Sequence, residues 1–344
     1  MKKYITVLVA AVLAACNICG CASSDAGQVQ KGDDDRLHIV ATIFPEYDWV
    51  CEVLGDKADG ADVTLLLDNG VDLHSFQPTA EDILKIASCD MFIYVGGESD
   101  EWVEDALKEA SNKDMVVINL LEVLGDNVKS EEIVEGMEHE HEDGDHEEED
   151  ADHDHDEEDH DHEHEEEPDE HVWLSLRNAA ILTDSIADGL AVVDPDNADS
   201  YRANADAYKG KLNALDKEYS DAADAGAVHT LLFGDRFPFR YLVDDYGLDY
   251  YAAFAGCSAE TEASFETVVF LAEKTDELGL GAIMTIEGTD HSIAETIRDN
   301  TSGRDQQILT LDSMQSTTKK DAENGTSYLS VMTSNLEVLK EALK

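Results

Sequence analysis

Two histidines lie in stretches suited to holding a cation. His74 sits in Asp72-Leu73-His74-Ser75-Phe76-Gln77-Pro78-Thr79, and His171 in Pro168-Asp169-Glu170-His171-Val172-Trp173-Leu174-Ser175. Imidazole ligands suit zinc, whereas manganese favours oxygen-rich sites. Asp235, Cys257, Glu287 and His291 are further candidates. A carboxylate such as Asp235 or Glu287 could bond zinc through oxygen. A Cys257 thiolate would favour zinc over manganese, and the alternative is a packed or disulfide-bonded cysteine. Arg236, next to Asp235, carries a fixed charge and no lone pair to offer. His229 reads as structural, because it opens a strand at the end away from ligands.

A second group of histidines is compositional. Residues 131–170 hold 25 of the 79 acids and no Lys or Arg. Removing them takes the net charge from −56 to −31 on the other 304 residues. Eight of the 13 histidines fall in the same stretch: His139, His141, His146, His153, His155, His160, His162 and His164. Imidazoles two apart fall on one side of an extended chain, and a flexible chain can fold two around a metal. Such a composition cannot bury a core, so disorder without metal is expected, with auxiliary zinc capture as its use. The acidic balance argues against nucleic acid as a partner and against a basic lipid-binding patch.

The rest of the chain must position these groups. Short apolar runs at 37–44, 63–67, 91–95 and 115–119 read as buried strands, with helices at 46–54, 79–88 and 101–110 between them. A second series gives strands at 228–233, 250–254, 282–286 and 308–311. Helices fall at 240–246, 264–278 and 292–300, and a last one closes the chain at 328–343. Thr79 with Asp82, and Ser292 with Glu295, read as capping boxes. Alternating strands and helices predict an α/β fold of two lobes. Each has a mainly parallel four-stranded sheet flanked by helices. Between them Tyr201, Ala205, Tyr208, Leu212, Leu215 and Tyr219 repeat at 4, 3, 4, 3, 4 spacing, one stripe of a single long rigid helix. Ligands of open parallel sheets lie beyond the carboxyl ends of strands, where His74 and His171 fall.

The N-terminus reads as an address. Lys2 and Lys3 precede a short apolar stretch, and Leu13-Ala14-Ala15-Cys16 reads as a lipobox, with Cys21 the alternative lipidated residue. The expected organisation is a signal region at 1–21, a linker at 22–35 and an N-terminal lobe at 36–194 carrying the loop at 131–170. The connecting helix follows at 195–224 and a C-terminal lobe at 225–344. No later run is long enough to cross a bilayer and no Walker A sequence is present, so the chain is neither permease nor ATPase.

At this point the chain resembles the solute-binding lipoproteins of bacterial ABC importers for zinc and manganese, over about Leu37 to Lys344. The stretch at His74 resembles the family's His-x-x-Glu-Pro-Thr, with Gln77 in place of Glu. His171-Val172-Trp173-Leu174-Ser175 with Asn178-Ala179 resembles its His-x-Trp-Leu-Ser segment. Tyr328-Leu329-Ser330-Val331-Met332 resembles its closing segment. The resemblance implies two lobes joined by a long helix, with Zn²⁺ bound between them by His74 and His171 and handed to a membrane permease. It also implies the zinc-uptake branch, which carries a His-rich acidic loop at this place. Where zinc members put a third His, this chain has the segment Phe233–Phe239 containing Arg236. Where manganese members put carboxylates, it has Gly256 and Thr326. The expected protein is an exported monomer, lipid-anchored on the outer face of the cytoplasmic membrane, and not an enzyme, since no HExxH helix supports hydrolysis by Glu260 or Glu287. The alternatives are a manganese or iron receptor on the same scaffold, or an extracellular metal buffer or adhesin without a transporter.

Overall fold

A computed structural model describes residues 36–137, 167–258 and 262–344. The histidine tract and both candidate lipidated cysteines lie outside the described residues. The first sheet contains β1 (Leu37–Ala41), β2 (Ala61–Leu65), β3 (Met91–Tyr94) and β4 (Val116–Asn119). Its helices are α1 (Phe44–Leu54), α2 (Ala80–Ser88), α3 (Trp102–Lys108) and α4 (Leu120–Leu124). Next come α5 (Leu176–Val193) and the long α6 (Ala198–Ala225). The second sheet contains β5 (Thr230–Phe237), β6 (Asp249–Ala255), β7 (Ala282–Ile286) and β8 (Gln307–Leu311). Around it lie α7 (Arg240–Tyr246), α8 (Phe265–Leu278), α9 (Ser292–Asn300), α10 (Lys319–Glu323) and α11 (Tyr328–Ala342).

Both sheets are wholly parallel, and both have the same order: β2-β1-β3-β4 and β6-β5-β7-β8. Parallel strands covered on both faces read as continuous apolar runs, as in the fully buried Ala-Ile-Met-Thr-Ile of β7. In each sheet the chain reverses direction of winding between its first and third strands. That switch point is where open α/β sheets leave a crevice.

The predicted stripe is the buried face of α6. Tyr201, Ala205, Tyr208, Leu212, Leu215 and Tyr219 are all buried. At 1.5 Å per residue its 28 residues span about 42 Å. It packs against α1 and α5, which accompany the first sheet, and against α7 and α11, which accompany the second. Long-range hydrogen bonds to backbone carbonyls help fix it. Asn204 Nδ2 donates to the Val53 carbonyl at 2.9 Å, and the Tyr219 hydroxyl donates to the Met332 carbonyl at 2.6 Å. One apolar core runs from Ile39 in β1 to Leu343 beyond α11, so both sheets share it. A smaller core lies under α8 and α9. Leu212→Ala should therefore cost about 3 kcal/mol, a large-to-small change at a sealed site. Urea unfolding would show it as a lower midpoint with an unchanged slope.

Two expectations need correction. The strand expected at 228–233 runs as β5 from Thr230 to Phe237, so Asp235 and Arg236 lie within a strand. Gly234 makes this possible. A Cβ there would come within 2.6 Å of Ala294 Cα, so α9 packs directly on the strand backbone. The second concerns Ser292, which is not an N-cap. His291 holds that position in the left-handed region (φ 59°), without a side-chain cap. The Ser292 N–H is taken instead by Asp290 Oδ1 at 3.0 Å. The Thr79–Asp82 capping box forms as expected. No helix among the described residues is long and apolar enough to cross a membrane.

Candidate metal centre

His74 lies on the connection leaving β2, in a short 3-10 turn at Leu73–Ser75. Asp72 caps that turn, its Oδ1 accepting the His74 N–H at 3.0 Å. The ring is then held by its Nδ1, which lies 2.8 Å from Ser99 Oγ and 3.4 Å from Glu170 Oε2. Ser99 comes from the turn after β3, so connections leaving two different strands, β2 and β3, contribute.

His171 is built the same way. Asp169, two residues before it, accepts the His171 backbone N–H at 2.8 Å and faces ring Nδ1 at 3.0 Å through the same Oδ1. The loop beyond is pinned across the molecule. Trp173 Nε1 donates to the Ser313 carbonyl at 2.8 Å, and the Tyr328 hydroxyl donates to the Trp173 carbonyl at 2.6 Å. His171 is fully buried.

Anchoring both rings through Nδ1 leaves both Nε2 atoms facing each other, 3.2 Å apart. Cys257, on the loop after β6, adds a sulfur. The ligand atoms of His74, His171 and Cys257 all lie within 4.8 Å of one another. Gly256 permits this approach, because a Cβ at 256 would sit 3.0 Å from His171 Cε1. The Cys257 N–H donates to Glu131 Oε1 at 3.1 Å, which fixes the loop. Cys51, Cys89 and Cys257 are all free thiols, so the disulfide alternative does not hold for Cys257.

The electrostatics follow from burial and neighbours. Burial, with the charge of His171 next, holds His74 well below the ordinary imidazole range. Burial also opposes charge on His171, but Asp169, Glu170 and Asp72 outweigh it and raise its pKa. Burial, then Glu131, Asp169 and Glu170, push the Cys257 thiol up. A cation would have to displace the protons that these shifts hold on His171 and Cys257, and it would answer the nearby carboxylates.

The geometry suits a tetrahedral ion. Zinc–nitrogen bonds of about 2.0–2.1 Å at the tetrahedral angle place two nitrogens about 3.3 Å apart. The observed separation is 3.2 Å. Sulfur and nitrogen ligands would be about 3.6 Å apart by the same construction, so a small shift of the 256–258 loop completes three-point contact. A carboxylate or hydroxyl on each Nδ1 fixes tautomer and orientation, as metal-binding histidines require.

The other candidates are engaged elsewhere. No metal-competent group among the described residues includes Asp235, Glu287 or His291. Asp235 Oδ2 accepts from the Thr289 hydroxyl at 2.8 Å and the Ile286 N–H at 3.3 Å, tying β5 to β7. Glu287 accepts from the Ser313 N–H, the Ser313 hydroxyl and the Gln315 N–H. His291 Nδ1 lies 3.4 Å from Thr289 Oγ1. Arg236 donates to Asp72 Oδ2 at 2.8 Å and so clasps the His74 turn to the second sheet.

Residue-type reasoning passes over Asp72, Ser99, Glu131, Asp169 and Glu170. A signal was present for two of them. Asp-x-His occurs at both histidines, and an Asp two residues ahead can take the following backbone N–H in an Asx turn.

Comparison with known proteins gives concordant matches. Residues 39–342 match the family model described as zinc-uptake complex component A, periplasmic. The high-affinity zinc uptake system protein ZnuA of Bacillus subtilis (strain 168) is 30% identical over 336 residues, 96% of each chain. The zinc-binding lipoprotein AdcA of Streptococcus pneumoniae serotype 4 is 32% identical over 312 residues. That match covers 91% of this chain but 57% of AdcA, so the chain spans little over half of that relative. The crystal structure of the Zn(II)-bound ZnuA-like domain of S. pneumoniae AdcA superposes with a TM-score of 0.66 at 27% identity. It covers 90% of this chain and 99% of that domain.

Proposed function

Because this chain belongs to the zinc-uptake complex component A family, whose members are transport binding proteins and not enzymes, we propose that it is a zinc receptor. It captures Zn²⁺ as cargo between its two sheets and delivers it to an ABC permease. The ligands are His74 Nε2, His171 Nε2 and the Cys257 thiolate, with water or a carboxylate in the fourth position. One observation carries this reading: the two Nε2 atoms 3.2 Å apart, each ring anchored through Nδ1. The names of the relatives support zinc as the metal. So does the donor set, since imidazole and thiolate together favour zinc over manganese.

Export and a lipid anchor at Cys16, or at Cys21, belong to the same proposal. So do the lobe boundaries given above and an auxiliary role for the histidines of 139–164. Among the relatives, AdcA of Streptococcus pneumoniae serotype 4 is named a lipoprotein, which supports the anchor.

Titration of the chelator-stripped protein with Zn²⁺ and with Mn²⁺ tests the reading. One tight zinc site is expected, with manganese weaker by several orders of magnitude, in keeping with the ligand softness and the affinity order of these ions. A variant lacking 138–166 should keep the tight site and bind less zinc in total. Tighter manganese binding would refute the zinc reading, and unchanged zinc stoichiometry would refute the role of the tract.

A further inference from the structure

A cavity of about 610 Å³ opens onto the proposed centre, with His74 and Cys257 in its wall. Five glutamates line the same cavity: Glu98, Glu101, Glu131, Glu167 and Glu170. They form a gradient of exposure. Glu98, Glu101 and Glu167 are exposed, Glu131 is half-buried and Glu170 is buried. Glu170 is only 2% exposed, yet its Oε2 has no hydrogen-bond partner. Its other oxygen accepts the Ser99 N–H at 2.9 Å, so the carboxylate is fixed in place with Oε2 short of a hydrogen bond and only the His74 Nδ1, 3.4 Å away, facing it. A buried, unpartnered carboxylate oxygen costs free energy unless a cation or a proton answers it.

The neighbouring cavity, of about 620 Å³, is lined by Asp72, Asp235, Glu262 and Asp290 together with Arg236 and His291, and none of His74, His171 and Cys257 lines it. A cation entering from that side meets the Arg236 guanidinium paired with Asp72 and reaches none of the three residues of the proposed centre. The glutamate-lined cavity instead carries its five carboxylates up to His74 and Cys257, and low-dielectric walls focus the field of such charges.

We infer that the acidic cavity is a transit site for the divalent cation, holding it through the glutamates before it moves onto His74, His171 and Cys257. The exposed glutamates take a hydrated ion from solvent. Glu131 and Glu170, which also touch the Cys257 loop and the His74 ring, carry it to the centre. This role rests on the metal-receptor reading. It adds a route and a rate to that reading, and places the Arg236 side off the path.

Stopped-flow mixing of the full chain with Co²⁺, followed by tryptophan fluorescence, separates the two ideas. Co²⁺ takes nitrogen and sulfur ligands as zinc does, and its open d shell quenches a nearby indole. Trp173 lies with its ring centre 5.3 Å from that of His171. The phase lost in His171→Ala is the signal of the centre. The triple variant Glu98→Gln, Glu101→Gln, Glu167→Gln should lower the association rate of that phase about 10-fold at low ionic strength, the lower end of electrostatic steering. The ratio should fall toward one as salt rises. Glu218→Gln, Asp221→Asn and Glu337→Gln remove the same charge on α6 and α11, and should leave the rate within two-fold. Equal rates for the two triple variants would overturn the transit site while leaving the receptor reading intact. A wild-type chain with no phase sensitive to His171 would overturn both.

Discussion

His171→Ala should lower the zinc affinity of the cleft by more than about 100-fold. The bound of 100-fold comes from the loss of an outer partner alone, which costs 10- to 100-fold at metal sites. Removing a direct ligand must exceed it. Asp169→Asn supplies the internal comparison. It keeps the backbone bond to His171 within reach but weakens the hold on Nδ1, so a loss inside the 10- to 100-fold range is expected. The order His171→Ala, then Asp169→Asn, then wild type is the result that matters. Urea midpoints measured alongside would show whether each variant is folded, because His171 is sealed in the core. Cys257→Ser gives a separate signature. The Cys257 thiol is pushed up by burial and by Glu131, Asp169 and Glu170, so it enters the complex by releasing a proton to solvent. The logarithm of zinc affinity should therefore rise with pH, and the serine variant should lose about one unit of that slope. An unchanged slope would remove Cys257 from the ligand set.

How much of this was legible in the sequence depends on range. The alternation of strands and helices is written locally, and so is the stripe on α6. Both sheets and the helix between them followed from periodicity. His74 and His171 stood out because strand-end loops are where such folds bind ligands, although they are 97 residues apart. Cys257 could be suspected but not chosen over Asp235, Glu287 and His291. What brings it beside the two imidazoles is the backbone of Gly256 passing next to the His171 ring, a contact no local pattern encodes. Asp235 read as lying beyond a strand end because a polar Gly-Asp-Arg run resembles one, whereas β5 continues through it. In the fold Gly234 keeps the strand going by letting Ala294 of α9 lie against it. The partners of the site come from further still. Glu131 meets Cys257 across 126 residues, and Arg236 meets Asp72 across 164.

A second large effect should appear in stability as pH rises. Glu46 in α1 is fully buried, and its Oε2 accepts from the Thr42 N–H, the Thr42 hydroxyl and the Ile43 N–H. Its Oε1 has no partner, and neither does Asp100 Oδ1. Burial first, and the charge of Asp100 second, push Glu46 from 4.5 up to about 8. Asp100 is pushed from 3.8 up to about 7, chiefly by burial. An acid whose folded pKa lies above its unfolded value keeps a proton that the unfolded chain has lost. Stability then falls as pH rises across that window, by about 1.4 kcal/mol per pH unit for each such group. For Glu46 the window runs from about 4.5 to about 8. The clean range to measure is above about pH 6.5. There His74, held below its ordinary value, is neutral in the folded state, and the proton it loses in the unfolded state from half-occupancy at pH 6.5 is a change of opposite sign that wild type and variant share. His171, held above its ordinary value, adds loss of the same sign. Glu46→Gln isolates the carboxyl. The amide oxygen can take the three donors that Oε2 now holds, and the NH₂ replaces the proton that Oε1 would otherwise need. Urea unfolding at pH 6.5, 7.25 and 8 should show the wild type losing stability faster than Glu46→Gln. The variant should be the more stable of the two by pH 8. Parallel pH profiles would mean that Glu46 ionises in the fold without cost, and that its buried oxygen finds another answer.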